Sequence, residues 1–126
     1  MGFRVVWLVK RKPGLTPEEF REHYINHVPK IKKYLGHLTL EYSVSFINEA
    51  FGGINEASSG KGYIAGAIPA AYDCVTTMTA IDKAAFDEGL RITQQPEVAK
   101  ILDEDENKFI DHKAVVTYFC DEVVAR

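Results

Sequence analysis

The stretch Arg11-Lys12-Pro13-Gly14-Leu15-Thr16-Pro17-Glu18-Glu19-Phe20 links the first two predicted elements of the chain and decides how the fold begins. It follows residues 3–9, an apolar run rich in β-branched and aromatic side chains that predicts a strand buried on both faces. Thr16 is a favourable helix N-cap, Pro17 suits the first helical position, and Glu19 completes a capping box with Thr16. The stretch therefore predicts a strand, a turn and the start of a helix.

The first half of the chain continues with a long helix, a strand and a loop. Helical spacing of apolar residues runs from Phe20 to Leu35, and Gly36 is a favourable C-terminal stop. Residues 38–46 alternate between apolar and polar side chains, which predicts a strand with one face buried. Residues 49–71 are rich in glycine and predict a long loop.

The second half of the chain predicts the elements that complete the domain. A strand is expected over residues 72–79, a short helix after the N-cap Asp82, a second helix over 96–110 and a last strand over 114–119. This order predicts an α+β, ferredoxin-like βαββαβ subunit, with a four-stranded antiparallel sheet and helices on one face. We expect residues 1–126 to form a single domain.

Composition excludes several classes of function. Hydrophobic residues make up 46% and charged residues 26% of the 126 residues, which is typical of a globular protein. Fifteen basic against eighteen acidic residues argue against nucleic-acid binding, and no apolar run has the length of a membrane span. Cys74 and Cys120 are predicted to lie about two strand spacings apart as buried, unbridged thiols, which favours a cytoplasmic location.

The predicted sheet has apolar side chains on both of its faces. Val6 and Leu8 lie on the face opposite Val5, and Val116 and Tyr118 extend that second apolar face on the last strand. Helices on one side of the sheet leave this second face uncovered. We therefore expect it to be buried against another copy of the chain, as a homodimer.

His27 interrupts the apolar face of the first helix. On a helical wheel with Phe20 at zero, His27 falls at about 340° and Tyr34 at about 320°. One interpretation is a core histidine that is hydrogen-bonded to a tyrosine or a carbonyl group. The other is a general acid/base, with Tyr24 or Tyr34 nearby to orient a substrate.

Asp105 interrupts the apolar face of the helix over 96–110 in the same way. With Val98 at zero it falls at about 340°, inside the apolar stripe. It is either a structural carboxylate that fixes a loop or the last strand, or a carboxylate that orients His27 or takes a substrate proton. Its neighbours are predicted to be ordinary solvated charges: Asp103, Glu104 and Glu106.

Metal and cofactor motifs are not evident. His23 and His27 are four residues apart, a spacing that can hold a metal, but no third ligand is apparent. The glycines lack the context of a phosphate or dinucleotide fingerprint. We expect neither a metal nor a cofactor.

Two stretches of the sequence together resemble the EthD family, a branch of the dimeric α+β barrel superfamily. The first is residues 11–20, followed by the triplet His27-Val28-Pro29 in the same helix, and the second is residues 105–111. The resemblance implies a subunit whose sheet packs against that of a second copy, with a cleft for a small aromatic or polyketide-like molecule between sheet and helices. It also implies that His27 is the acid/base and that Asp105 occupies an acidic position of the family.

Three functions follow from this combination. The leading hypothesis is a cofactor-independent enzyme that uses His27 for acid/base chemistry, as a decarboxylase, dehydratase, cyclase or isomerase. The alternatives are a cofactor-free oxygenase of phenolic or anthrone substrates and a non-enzymatic, ligand-binding accessory protein of an oxidative or biosynthetic pathway. The predicted substrate contacts are Trp7, Tyr24, Tyr34, Phe46 and Tyr63.

Overall fold

The computed structural model describes residues 2–49, 53–54, 67–68 and 70–122. Its helices and strands are, in chain order, β1 (Phe3–Val9), α1 (Pro17–Leu35), β2 (Thr39–Phe46), β3 (Gly53–Ile54), β4 (Ala67–Ile68), β5 (Cys74–Ala80), α2 (Lys83–Thr93), α3 (Pro96–Glu106) and β6 (Val116–Asp121). Short 3-10 turns precede β2 and β6, at Gly36–Leu38 and His112–Ala114.

Four strands form the main sheet in the order β2-β5-β1-β6. Each neighbouring pair is antiparallel, and β1 lies between β5 and β6. The three helices pack on one face of this sheet, because α1, α2 and α3 contact one another and carry buried side chains that meet the sheet's inner face. The predicted α+β, ferredoxin-like class is confirmed.

The turn between β1 and α1 has the geometry that its sequence predicts. Gly14 has a φ of 94°, in the left-handed region that side chains with a Cβ rarely adopt. The side-chain oxygen of Thr16 accepts a hydrogen bond from the backbone N–H of Glu19 at 3.2 Å, and Glu19 Oε1 accepts one from the N–H of Thr16 at 3.0 Å. This reciprocal capping box starts α1 at Pro17.

The core lies between the inner face of the sheet and α1. Phe109 and Cys74 are fully buried, and Phe20, Val9 and Tyr24 are almost so. The Phe109 ring contacts the rings of both Phe20 and Tyr24. Burial of one such aromatic side chain contributes about 2–3 kcal/mol to stability. Phe109 therefore fixes the chain after α3 against α1.

Backbone hydrogen bonds also hold the end of α3 beside the end of β1. The N–H of Lys12 donates to the carbonyl oxygen of Phe109 at 2.8 Å, and the N–H of Asp111 donates to that of Lys10 at 2.9 Å. The last turn of α3 is consequently placed next to the middle of α1. The helix expected to reach residue 110 ends at Glu106 because residues 109–111 pair with the chain after β1 instead.

The outer face of the sheet is apolar near β1. Val6 lies opposite Tyr118 on β6, and Leu8 lies opposite Val116 on β6 and Val75 on β5. Tyr118 is 57% exposed, and the side chains of the four aliphatic residues Val6, Leu8, Val75 and Val116 are half-buried. The second apolar face predicted from the sequence is therefore present in the subunit.

Three details differ from the sequence predictions. The predicted loop 49–71 contains β3 and β4, which pair antiparallel, and most of the rest of it lies outside the described residues. The last strand begins at Val116 rather than at residue 114, because Asp111 accepts a hydrogen bond from the N–H of Lys113 and starts a 3-10 turn. Cys120 is half-buried rather than buried, since it lies on an edge strand.

Neither described cysteine is bridged. Cys74 on β5 lies opposite Val9, whereas Cys120 on β6 lies opposite Arg4 near the other end of β1. Among the described helices, none is long and apolar enough to cross a membrane.

Candidate active site

A cavity of about 310 Å³ lies between the sheet and the three helices. This volume is at the lower end of the range for small-molecule sites. Most of its wall is apolar and includes Trp7, Ile31, Leu35, Met78, Phe86 and Val115. Its polar side chains include Tyr24, His27, Tyr42, Thr76 and Glu106. The cavity therefore combines an apolar wall with a small group of hydrogen-bonding and titratable groups.

His27 and Asp105 form a hydrogen-bonded pair at this cavity. His27 Nδ1 lies 2.6 Å from Oδ2 of Asp105, and the histidine is only 2% exposed. The ring also packs edge-on against Phe109, with the two centroids 5.4 Å apart. The pair forms because α1 carries His27 and the end of α3 is held next to it by Phe109.

Lys30 extends the pair to the surface. Its Nζ donates to Oδ1 of Asp105 at 2.8 Å, while Oδ2 binds His27. Lys108 Nζ lies 3.7 Å from the same Oδ1. The carboxylate thus has a cation on its outer side and the imidazole on its inner side.

The environment sets the charge of both members of the pair. Burial lowers the pKa of His27, although the hydrogen bond and the negative charge of Asp105 oppose this effect. Partial burial tends to raise the pKa of Asp105, but the hydrogen bonds from Lys30 and His27 outweigh it and the pKa is lowered overall. At neutral pH the pair is therefore a neutral imidazole beside a carboxylate.

The carboxylate also determines which tautomer of His27 is present. An ionised carboxylate only accepts hydrogen bonds, so the proton of the neutral imidazole lies on Nδ1. Nε2 then carries the lone pair, and none of the hydrogen bonds found among the described residues involves it. Because His27 lines the cavity and Asp105 does not, Nε2 is the ring nitrogen available to a ligand. This arrangement suits a general base.

Two tyrosines lie at the sheet side of the cavity. The Tyr24 hydroxyl is 2.5 Å from Oγ1 of Thr76. Burial raises the pKa of both Tyr24 and Tyr42, and a hydrogen bond with Tyr24 partly offsets the effect at Tyr42. Both phenols are therefore neutral hydrogen-bonding groups at physiological pH.

Glu106 is a titratable group of the cavity that the sequence interpretation placed in solvent. It is half-buried, lines the cavity and has no ion-pair partner among the described residues. Burial raises the pKa of Glu106 to about 7, and the nearby charges of Asp103 and Asp105 add to this effect. The prediction of a solvated charge is wrong because the turn that follows α3 folds back onto β1 and brings this side chain under the sheet.

The other predicted site residues are distributed as follows. Trp7 and Tyr24 line the cavity with His27. Phe46 packs in the core against Phe20, with ring centroids 6.0 Å apart, and Tyr34 lies outside the described cavity wall beneath Lys33. Tyr63 lies outside the described residues.

His23 does not join His27. It is exposed and stacks on the outer side of Phe109, with a centroid distance of 6.2 Å. Within the described ranges, no group of three or more His, Cys, Asp or Glu side chains is arranged to hold a metal ion.

Tyr42 and Glu106 are two of the cavity residues that sequence reasoning did not assign to the site, and each had a weak signal. Tyr42 occupies the apolar face of the alternating strand, in phase with Val44 and Phe46. Glu106 falls at about 80° on the wheel of α3, only about 40° from Leu102. A polar residue so close to an apolar stripe can reach into a neighbouring cavity.

Fold and site together define a ferredoxin-like α+β protein with a histidine–carboxylate pair at a largely apolar cavity. The EthD domain matches residues 12–113, which is most of the chain. The chain belongs to the EthD domain family. No curated protein matches it.

Solved structures share the fold at low sequence identity. An ethyl tert-butyl ether D (EthD) family protein from Bacillus halodurans is 21% identical, with a TM-score of 0.62 over 98% of this chain and 100% of that chain. A dimeric ferredoxin-like protein of unknown function from Thermobifida fusca is 14% identical, with a TM-score of 0.54 over 95% and 90%. A protein described as an antibiotic biosynthesis monooxygenase is 13% identical, with a TM-score of 0.53 over 97% and 99%.

Proposed function

We propose that this protein is an acid/base enzyme that acts on a small aromatic or polyketide-like molecule. The observation that carries the proposal is the hydrogen bond of 2.6 Å between His27 and Asp105 at the wall of an apolar cavity. A buried imidazole of lowered pKa, with one nitrogen fixed by a carboxylate and the other available, has the requirements of a general base. The proposed reaction class is that of a lyase or isomerase.

The two members of the pair have different roles in this proposal. Nε2 of His27 takes a proton from the substrate, and the positive imidazolium that results is stabilised by the carboxylate of Asp105. Asp105 is a positioning residue, because it holds the tautomer and the ring orientation through Nδ1. Lys30 in turn holds Asp105 ionised.

The cavity wall supports an aromatic or similarly flat, apolar substrate. Trp7 and Phe86 provide aromatic surface, and Met78 and Ile31 provide adaptable apolar contacts. Tyr24, Tyr42 and Thr76 line the same cavity, and in this proposal their hydroxyls bind oxygen atoms of the substrate.

We also propose that the working unit is a homodimer. The outer face of the sheet carries Val6, Leu8, Val75, Val116 and Tyr118, and the described helices pack on the opposite face. Burial of this face against a second copy removes it from water. The Thermobifida fusca protein of the same fold is described as dimeric. The cavity lies on the helix side of the sheet, so sheet-to-sheet pairing leaves it intact.

The proposal is tested with benzoylacetone, an aromatic diketone whose acidic carbon exchanges its hydrogen for deuterium. The chain has one tryptophan, Trp7, and it lines the cavity, so binding is followed by its fluorescence. Exchange is followed by proton NMR in D₂O. We expect wild-type protein to bind and to accelerate exchange, and His27→Gln to bind but lose about 100-fold or more of the rate.

A matched control is available one turn earlier on the same helix. His23 is exposed and outside the cavity wall, so His23→Gln is expected to retain the wild-type rate within about twofold. Wild-type activity in His27→Gln contradicts the assignment of His27. Binding without exchange in the wild type favours an accessory ligand-binding protein instead.

A cofactor-free oxygenase is the second candidate, and one observation favours it. A protein with the same fold is described as an antibiotic biosynthesis monooxygenase. Deprotonation of a phenol or anthrone by His27 is a first step that both candidates share. Oxygen uptake that accompanies the turnover of an anthrone distinguishes the oxygenase from a lyase or isomerase.

A further inference from the structure

Glu106 faces the same cavity as His27 but from the end of α3. Its carboxyl group lines the cavity with His27, Tyr24 and Tyr42, whereas the adjacent Asp105 points to the outer side of His27. The negative charge of Glu106 opposes ionisation of both tyrosines, and all three residues line the same cavity. One turn of helix thus supplies a carboxylate behind the imidazole and a second carboxyl group inside the cavity.

Among the described residues, no cation pairs with Glu106. On its own helix, Asp103 and Asp105 are both negative, and they disfavour its ionised form. On α1, Lys30 binds Asp105, and Lys108 beyond α3 also approaches Asp105. The described cavity wall contains neither a lysine nor an arginine; its remaining titratable groups are His27, the exposed His112 and the neutral phenols of Tyr24 and Tyr42.

We propose that Glu106 is a second catalytic residue of this cavity and that the substrate is an uncharged, enolisable carbonyl compound rather than a carboxylate. This inference rests on the proposed function of His27. His27 Nε2 removes the proton from the carbon next to the carbonyl group, and Glu106 gives its proton to the carbonyl oxygen. The substrate C–H bond, the C=O π bond and the O–H bond of Glu106 break. The N–H bond of His27, the C=C bond and the enol O–H bond form, and the products are an enol, an imidazolium and a carboxylate.

The electrostatics of the cavity support both parts of the inference. Burial raises the pKa of Glu106 to about 7, so a large fraction of the side chain holds a proton at neutral pH. Burial lowers the pKa of His27, so the imidazole is free of its second proton under the same conditions. An acid and a base with such matched protonation states are suited to one concerted step. A substrate carboxylate has no cation to pair with in the described wall.

The experiment compares benzoylacetone with benzoylacetate, which has a carboxylate in place of the terminal acetyl group. Wild-type protein, Glu106→Gln and the control Glu104→Gln are compared at about pH 7.5 by Trp7 fluorescence. Glu104 is the exposed acidic neighbour on the same helix. We expect wild type and Glu104→Gln to bind the diketone roughly tenfold more tightly than the carboxylate, and Glu106→Gln to reduce this preference to about threefold or less.

Deuterium exchange of benzoylacetone tests the catalytic role. Glu106→Gln keeps a hydrogen-bond donor but cannot give up a proton, so kcat is expected to fall about 10- to 100-fold with KM little changed. The wild-type rate should decline as the pH rises through about 7, and this decline should be absent in Glu106→Gln. His27→Gln loses the rate at every pH.

A measurement without ligand keeps the inference testable on its own. Carbon-13 NMR of the glutamate carboxyl groups identifies Glu106 as the signal that Glu106→Gln lacks. A pKa near neutral for the Glu106 signal supports the inference, and a pKa near the ordinary glutamate value of 4.5 overturns it. An unchanged ligand preference and pH profile in Glu106→Gln overturn it as well.

The failure of this inference and the failure of the proposed function give different results. Binding of phenols or anthrones but not of benzoylacetone overturns the substrate class and leaves His27 as the base. Normal exchange in His27→Gln, together with a lost pH dependence in Glu106→Gln, removes the role of His27 and retains that of Glu106.

Discussion

His27 and Asp105 are 78 residues apart in the chain, yet Nδ1 of the histidine lies 2.6 Å from Oδ2 of the aspartate. The contact depends on Phe109, whose buried ring fixes the end of α3 against α1. The other carboxylate oxygen of Asp105 accepts a hydrogen bond from Lys30. The lysine, the carboxylate and the imidazole thus form one chain of hydrogen bonds from the surface to the cavity.

Replacement of Asp105 by asparagine is expected to impair His27 without removing it. The hydrogen bond and negative charge of Asp105 raise the pKa of His27 against the effect of burial, so Asp105→Asn should lower that pKa further. The asparagine also no longer fixes the Nδ1–H tautomer, and we expect the exchange rate to fall about 100-fold or more. Nitrogen-15 NMR of the imidazole reports the pKa and the tautomer.

The control for this change is Asp103→Asn on the exposed side of the same helix. It should leave the His27 titration and the exchange rate within about twofold of the wild type. If Asp105→Asn leaves both unchanged as well, the carboxylate has only a structural role.

Replacement of Lys30 by methionine is expected to act in the opposite direction on His27. The positive charge of Lys30 lowers the pKa of His27. A methionine side chain can replace the packing of the aliphatic part of the lysine without its charge. Lys30→Met should therefore raise the pKa of His27, and the imidazole should be protonated at a higher pH than in the wild type. A proton NMR titration measures the shift, with Lys32→Met on the exposed face of α1 as the control. A lowered pKa would contradict the charge relationship.

The fold was largely predictable because its signals are local. The capping box of Thr16 and Glu19, the alternation over β2 and the N-cap at Asp82 each specify an element from a few neighbouring residues, and the structure contains all three. Element ends were less accurate where tertiary pairing decides them. Residues 109–111 leave the helical pattern because they bond to the chain after β1.

The candidate site was only partly predictable because it depends on packing between distant segments. His27 and Asp105 were visible as polar interruptions of apolar faces, and the sequence left their pairing as one of two interpretations. Glu106 carried only the weak signal of its position beside the apolar stripe of α3, because its burial arises mainly from where α3 packs. Tyr34 shows the reverse case, since it lies near the apolar face of α1 but is not part of the described cavity wall.

A charge in the centre of the outer sheet face is expected to dissociate the proposed dimer. Val6 lies on β1 between Thr77 of β5 and Tyr118 of β6, and Val6→Asp would bury an unpaired carboxylate in the interface. We expect the dissociation constant to rise about 100-fold or more, as measured by sedimentation velocity. Ile25→Asp, which adds the same charge at an exposed position on α1, should leave the dimer intact. A monomeric wild-type protein would contradict the proposal.

Glu106 should also make the stability of the protein decrease with rising pH. Its pKa is raised from 4.5 to about 7 in the folded protein, so folding favours the protonated form. The contribution of this group is fully present below about pH 4.5 and is lost as the pH rises through about 7. Glu106→Gln cannot ionise and so does not lose this contribution. The free energy of unfolding of the variant minus that of the wild type should therefore rise by on the order of 2 kcal/mol between about pH 5 and pH 8. Urea unfolding at both pH values measures this difference, with Glu104→Gln as the control. Parallel pH profiles of stability for the wild type and Glu106→Gln would contradict the prediction and show that the Glu106 carboxyl group is solvated.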